Sequence, residues 1–189
     1  MKKIILATLF IFTLPLKSVA HPKAIILLRH AEEPKEDVNH LSEAGYARAK
    51  MLPSLFKNNP VLKDFDVPVA LFAAGAKKED SSIRSIETLH YLSKEIKVPI
   101  NDSFKRDDFR ALAKEINNNH DYDDQVVVVV WQHKILREIA EKLGVKKTSD
   151  YPSSKFDRIW LITYKKDIEK EKVILADLPQ NLMPGDDKK

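Results

Sequence analysis

Two rhythms of apolar residues alternate along this chain. One is the short unbroken run, the pattern of a strand buried on both faces. It appears as "KAIILLR" (Lys23–Arg29), as "PVALFAAG" (Pro68–Gly75) and most strongly as "QVVVVVWQH" (Gln125–His133). Five consecutive valines suit only the parallel centre of an α/β sheet. The other rhythm has spacings of three and four, the pattern of a helix with one buried stripe. It predicts helices over "LSEAGYARAKMLPSLF" (Leu41–Phe56), with Ser42 as N-cap and Glu43 in the first turn, and over the segment after Ser82. The stripe of that second helix is Ile83, Ile86, Leu89, Leu92 and Ile96. Further helices are expected over "DDFRALAKEI", capped by an Asp, and "KILREIAEKLG", ended by Gly144. "KVPIND" reads as a short strand, and "FDRIWLITY" and "EKVILADLPQ" as a final antiparallel pair. The tail "MPGDDKK" reads as polar and frayed. Strands alternating with helices predict a three-layer α/β sandwich: a mostly parallel central sheet with helices on both faces.

Composition narrows the setting. The chain has 189 residues, 43% hydrophobic and 32% charged, which suits one ordinary globular domain over residues 21–189. Residues 1–20 read as a secretory signal peptide. Lys2 and Lys3 precede a thirteen-residue apolar stretch, Ile4–Leu16, and "SVA" offers small residues for cleavage before His21. That stretch falls short of the roughly 20 residues of a membrane span, so no stable membrane insertion is expected after cleavage. The protein is therefore expected to be exported, to a periplasm or beyond. The net charge of +4 owes three of its units to Lys2, Lys3 and Lys17, which leaves +1 for the remainder and no basis for nucleic-acid binding. No cysteine is present, which an exported protein with a sufficient core permits.

Candidate chemistry collects where the strands end. "IILLRH" delivers Arg29 and His30, and "VVVVVWQH" delivers Gln132 and His133. Ligands of open α/β sheets bind beyond the carboxyl ends of the strands. Neighbouring strands would bring both histidines to one pocket, and Arg84, opening the helix after the second strand, would reach the same edge. Two His and two Arg form an anion site suited to phosphoryl transfer. A neutral His can attack phosphorus, and a carboxylic acid must protonate the leaving oxygen. Glu33 and Pro34 read only as the start of the exit loop. Glu87 reads as a surface residue of the Arg84 helix, and His40 as solvated. A zinc site from His30, Glu32, His133 and Asp108 lacks any supporting ligand motif, and the two arginines would repel a cation. No metal or cofactor is expected.

"LLRHAEEP" followed by "LSEAGYARA", then "SSIRSIETL", then "VVVVWQH" followed by "ILREIAEKLG" resemble the histidine phosphatase superfamily, which includes phosphoglycerate mutases and related acid phosphatases. The ordered match runs from about Lys23 to Leu143. The resemblance implies a phosphoglycerate mutase-like fold and a phosphohistidine intermediate on His30. It implies that Arg29, Arg84 and His133 hold the phosphoryl oxygens. The acid stays open among Asp108, Asp107 and Glu32. The mutase-like branch places it at Asp108, with Asp107 beside it, while Glu32 lies in the motif itself and more often supports the pocket. The acid-phosphatase branch carries an Asp directly after its second His, where this chain has Lys134. The expectation is an exported phosphatase acting on small-molecule or peptide phosphate esters. A catalytically weak phospholigand-binding or interaction protein on the same fold is the alternative. A protein phosphohistidine phosphatase is a further, weaker one. Specificity is expected in the loops Glu33–Asn39, Gly75–Ser82 and Thr148–Phe156.

Overall fold

A computed structural model describes residues 21–36, 38–78, 81–166 and 171–187. The segment expected to carry the export signal lies outside the described residues. Six strands form one sheet in the order β3-β2-β4-β1-β5-β6. They are β1 (Ala24–Arg29), β2 (Ala70–Ala73), β3 (Ile100–Asn101), β4 (Val126–Trp131), β5 (Arg158–Lys166) and β6 (Glu171–Pro179). The first four run parallel, β5 is antiparallel to β1, and β6 is antiparallel to β5. The helices are α1 (Glu43–Asn58), α2 (Arg84–Ile96), α3 (Phe109–Asn118) and α4 (His133–Lys142).

Alternation along the strands sorts the core into two halves. Ile25, Leu27, Val127, Val129 and Trp131 pack against Leu112 and Ile116 of α3 and Leu136 and Ile139 of α4. Ala24, Ile26, Leu28, Val126, Val128 and Val130 pack against Leu52 and Leu55 of α1 and Leu89 and Leu92 of α2. The molecule is thus a three-layer α/β sandwich with a mostly parallel sheet. Val126 to Val130 are all 0% exposed, which only a strand covered on both faces allows. Each such valine stabilises the fold by about 1.5–3 kcal/mol relative to an exposed one.

Local signals set the element ends. The Ser42 hydroxyl accepts from the Gly45 amide at 3.1 Å and caps α1. Gly144, at φ +101°, closes α4, with Gly144 N donating to Glu141 O and Val145 N to Ala140 O. Gly45 is small for another reason: a Cβ there would lie 2.3 Å from the Glu32 carbonyl, because the loop after β1 crosses α1 at that point. The third strand is shorter than its pattern suggested, since only Ile100 and Asn101 find partners on β2. The tail is not frayed through Asp186. That carboxylate is 5% exposed and pairs with Arg48 at 2.8 Å, so the segment around Asp186 is drawn back onto α1.

Candidate functional site

β1 and β4 are neighbours in the register Arg29↔Trp131, so both strands stop at one level. The His30 amide extends the ladder by one bond, to Trp131 O at 3.0 Å. Their carboxyl ends therefore present Arg29-His30 and Gln132-His133 side by side. The Trp131 indole donates to Arg106 O at 3.1 Å and anchors the loop before α3 to the same edge. A cavity of about 370 Å³ opens there, lined by His30, Gln132, Ser85, Lys77, Arg106 and Asp107 among others.

His30 is 5% exposed. Its Nδ1 lies 2.8 Å from the Ala31 carbonyl. A carbonyl only accepts, so Nδ1 carries the proton and Nε2 keeps its lone pair. Burial holds the imidazole down to about 4, and the charge of Arg29 acts in the same direction, against the bond to Ala31. At neutral pH His30 is an uncharged ring with a free nucleophilic nitrogen.

Two guanidiniums flank it. Arg29 lies over the Phe156 ring, 3.7 Å from its centroid, and donates to the carbonyls of Ser153 and Lys155. Burial pushes it below its ordinary value, with Glu33 pulling the other way. Arg84 opens α2 and donates to the carbonyls of His40, at 3.1 Å, and Val38. His133 opens α4. Burial lowers its pKa first, then Arg29 and Lys134, while Glu33 opposes them. It faces an adjoining depression with Lys134, Arg137, Tyr151 and Ser153. The structure thus joins Arg29, His30 and Arg84 around Glu33 and sets His133 within the field of Arg29, opening onto the adjoining depression and not onto the cavity lined by His30, so the two histidines do not share the one pocket expected of them.

The carboxylates separate sharply. Glu32 does not face the cavity. Arg48 holds both of its oxygens, at 2.7 to 3.1 Å, within a cluster that also includes Gln180 and Asp186. Glu32, a candidate acid by sequence, is thus held on α1 and does not line the cavity. Asp108 occupies the N-cap position of α3 without capping it, because its Oδ2 accepts instead from the Lys105 amide at 2.9 Å. It does not line the cavity. Asp107, the fallback, does. Its bond to Lys77 holds it below the usual carboxylate range, and Arg106 reinforces this at 3.6 Å.

Glu33 is the residue that sequence reasoning missed. It is no mere start of a loop. Its carboxylate takes Arg29 at 3.1 Å and Arg84 at 2.7 Å, and lies 3.9 Å from His30 Nε2. The available signal was an acid four residues beyond Arg29, which a loop geometry was needed to interpret. Lys77 and Arg106 were missed as well. Lys77 sits in a loop expected to govern specificity, but nothing in its pattern marks it out. Glu87 is not a surface residue either. At 14% side-chain exposure it accepts from the Tyr46 hydroxyl at 2.5 Å and the Leu41 amide at 2.8 Å, and it pairs with His40 at 2.7 Å. It pins the loop that Arg84 also grips. Among the described residues, no group of three or more His, Asp or Glu is placed to hold a metal ion.

Neither a family model nor a curated protein matches this chain. Solved structures do resemble it. One is the functionally characterised product of an open reading frame of Mycobacterium tuberculosis, at 11% identity and a TM-score of 0.48, over 84% of this chain and 98% of that one. Another is a Nakamurella multipartitia protein named as a candidate phosphohistidine phosphatase, SixA, at 13% identity and a TM-score of 0.43, over 78% of this chain and 87% of that one.

Proposed function

We propose that this protein is a phosphatase of the histidine phosphatase type, which hydrolyses phosphate monoesters through a phosphohistidine on His30. The observation that carries this reading is His30 itself: buried, uncharged at neutral pH, with Nε2 unprotonated and 3.9 Å from the Glu33 carboxylate that joins Arg29 to Arg84. In the first step Nε2 attacks phosphorus, the N–P bond forms and the P–O bond to the alcohol breaks. Arg29 and Arg84, with His133 at the margin, stabilise the charge that spreads over the phosphoryl oxygens. The leaving oxygen takes a proton from Asp107, the carboxylic acid that lines the cavity. In the second step Asp107 accepts a proton from water as that water attacks phosphorus and releases His30. Lys77 keeps Asp107 ionised near neutrality, which favours the second step over the first. Good leaving groups that need no acid are therefore the better substrates.

The same two features support the alternative of a catalytically weak phospholigand-binding protein. Asp107 is held ionised, and a carboxylate already lies between the arginines. One experiment separates the readings. Purified protein is mixed with p-nitrophenyl phosphate between pH 4 and 8, beside a His30→Ala variant. Turnover that vanishes with His30→Ala supports the phosphatase. Turnover equal in both, or absent from both, sinks it, and phosphate or vanadate binding without turnover leaves the binding protein. We place the protein outside the cytoplasm on the pattern of residues 1–20. Detection of an exported form beginning at His21 tests that.

A further inference from the structure

We propose that Glu33 is an internal occupant of the phosphoryl site, and that the site therefore admits doubly charged phosphoryl groups and turns away singly charged anions. This rests on the reading of the site as one for phosphoryl groups. The Glu33 carboxylate contacts the groups assigned to that ligand: Arg29 at 3.1 Å, Arg84 at 2.7 Å and His30 Nε2 at 3.9 Å. Attack needs phosphorus about 3–3.5 Å from Nε2, in space the carboxylate now fills. Ligand and Glu33 cannot share it.

Most of each guanidinium is already engaged, and the Nε of Arg29, though without a partner, is fully buried. In Arg84, Nε and one terminal nitrogen donate to the carbonyls of His40 and Val38, and the other terminal nitrogen meets Glu33. In Arg29, one terminal nitrogen donates to Ser153 and Lys155, and the other meets Glu33. With the Nε of Arg29 buried, the terminal nitrogens that meet Glu33 are the ones a ligand would contest. Its side chain is 38% exposed and stands on an irregular loop, so it has somewhere to go.

Charge then decides which ligands displace it. A singly charged diester or carboxylate exchanges one negative charge for another and competes against a tethered group at an effective concentration of about millimolar or more. A phosphate monoester carries about −1.5 to −2 at pH 7 and brings more charge to the two guanidiniums than it removes. Glu33 thus sets the class of substrate: terminal phosphoryl groups, with diesters excluded.

The test is calorimetric titration of inorganic phosphate and of dimethyl phosphate into the wild type, Glu33→Gln, Glu33→Ala and Glu33→Asp, with p-nitrophenyl phosphate hydrolysis measured alongside. If the carboxylate holds the site closed about nine-tenths of the time, Glu33→Gln and Glu33→Ala bind phosphate about tenfold more tightly. They also acquire dimethyl phosphate binding that the wild type lacks. Glu33→Asp keeps the charge and stays within about threefold of the wild type. Phosphate binding in Glu33→Gln and Glu33→Ala no tighter than wild type, beside His30-dependent hydrolysis by the wild type, overturns the inference and leaves the phosphatase standing. Absence of both phosphate binding and hydrolysis from every form overturns the two together.

Discussion

Arg48 offers the sharpest test of how the motif loop is held. It is 5% exposed on α1 and bridges two parts of the chain. Nε and one terminal nitrogen bind the Glu32 carboxylate, two residues beyond His30. The terminal nitrogens also reach Asp186, at 2.8 and 3.0 Å, and Gln180, at 3.1 Å. Arg48→Met keeps the helix and most of the volume but leaves Asp186, 5% exposed, as a buried charge without a cation. Breaking a buried pair in this way costs about 3–5 kcal/mol. For a domain of this size each kcal/mol lowers Tm by about 2–4 °C, so the loss is roughly 6–20 °C in a circular-dichroism melt at pH 7. The sign with pH follows from Asp186. Burial alone would raise its pKa, but Arg48 and the amides of Met183 and Leu182 overturn that and hold it below the usual carboxylate range. Its contribution is therefore complete above the unfolded value near 4 and is lost as pH falls through the depressed folded one, so the gap between wild type and variant narrows in acid. Adding Asp186→Asn to Arg48→Met removes the stranded charge and recovers part of the loss. A Tm for Arg48→Met within about 3 °C of wild type would refute the reasoning, because a paired, desolvated cluster cannot lose its cation so cheaply.

Two further outcomes are expected. His30 has a folded pKa of about 4 and an unfolded one near 6.5, so once kcat/KM is corrected for the substrate's own second ionisation near 6 its His30 limb falls only below about pH 5, and a stability contribution of about 3 kcal/mol, complete above pH 6.5, is lost as pH falls toward 4; a corrected limb centred at 6.5 contradicts the burial that sets the shift. Thr88→Val removes the hydroxyl that accepts from the Ala31 amide at 2.9 Å and donates to Arg84 O at 2.7 Å; with Thr88 only 3% exposed, the orphaned amide costs about 1–3 kcal/mol by urea denaturation, and an unchanged midpoint counts against that link between the motif loop and α2.

The layered fold was legible because its signals are local and redundant. The five valines of β4 demand cover on both faces whatever surrounds them, and the stripe Ile83 to Ile96 demands a helix. Arg29, His30, Gln132 and His133 were legible as strand ends for the same reason, since a strand's last residues face the edge it stops at. The charged partners were not legible, because they join segments far apart in sequence. Arg48 finds Asp186 across 138 residues, and Arg84 finds Glu33 across 51. No periodicity encodes such a meeting.

The acids mark the boundary most clearly. The sequence by itself determined that carboxylates stand beside His30 and ahead of α3. It favoured Asp108 over Asp107 and read Glu33 only as the start of a loop, because the directions in which neighbours on a non-helical backbone send their side chains are not set locally. Only the tertiary structure, by setting Arg48 against Glu32, Arg29 and Arg84 against Glu33 and Lys77 against Asp107, held Glu32 on α1, drew Glu33 toward His30, tied Asp108 to the Lys105 amide and left Asp107 lining the cavity. Which face of a loop meets a cation depends on where the other elements pack, and that is decided by the whole core rather than by any stretch of the chain.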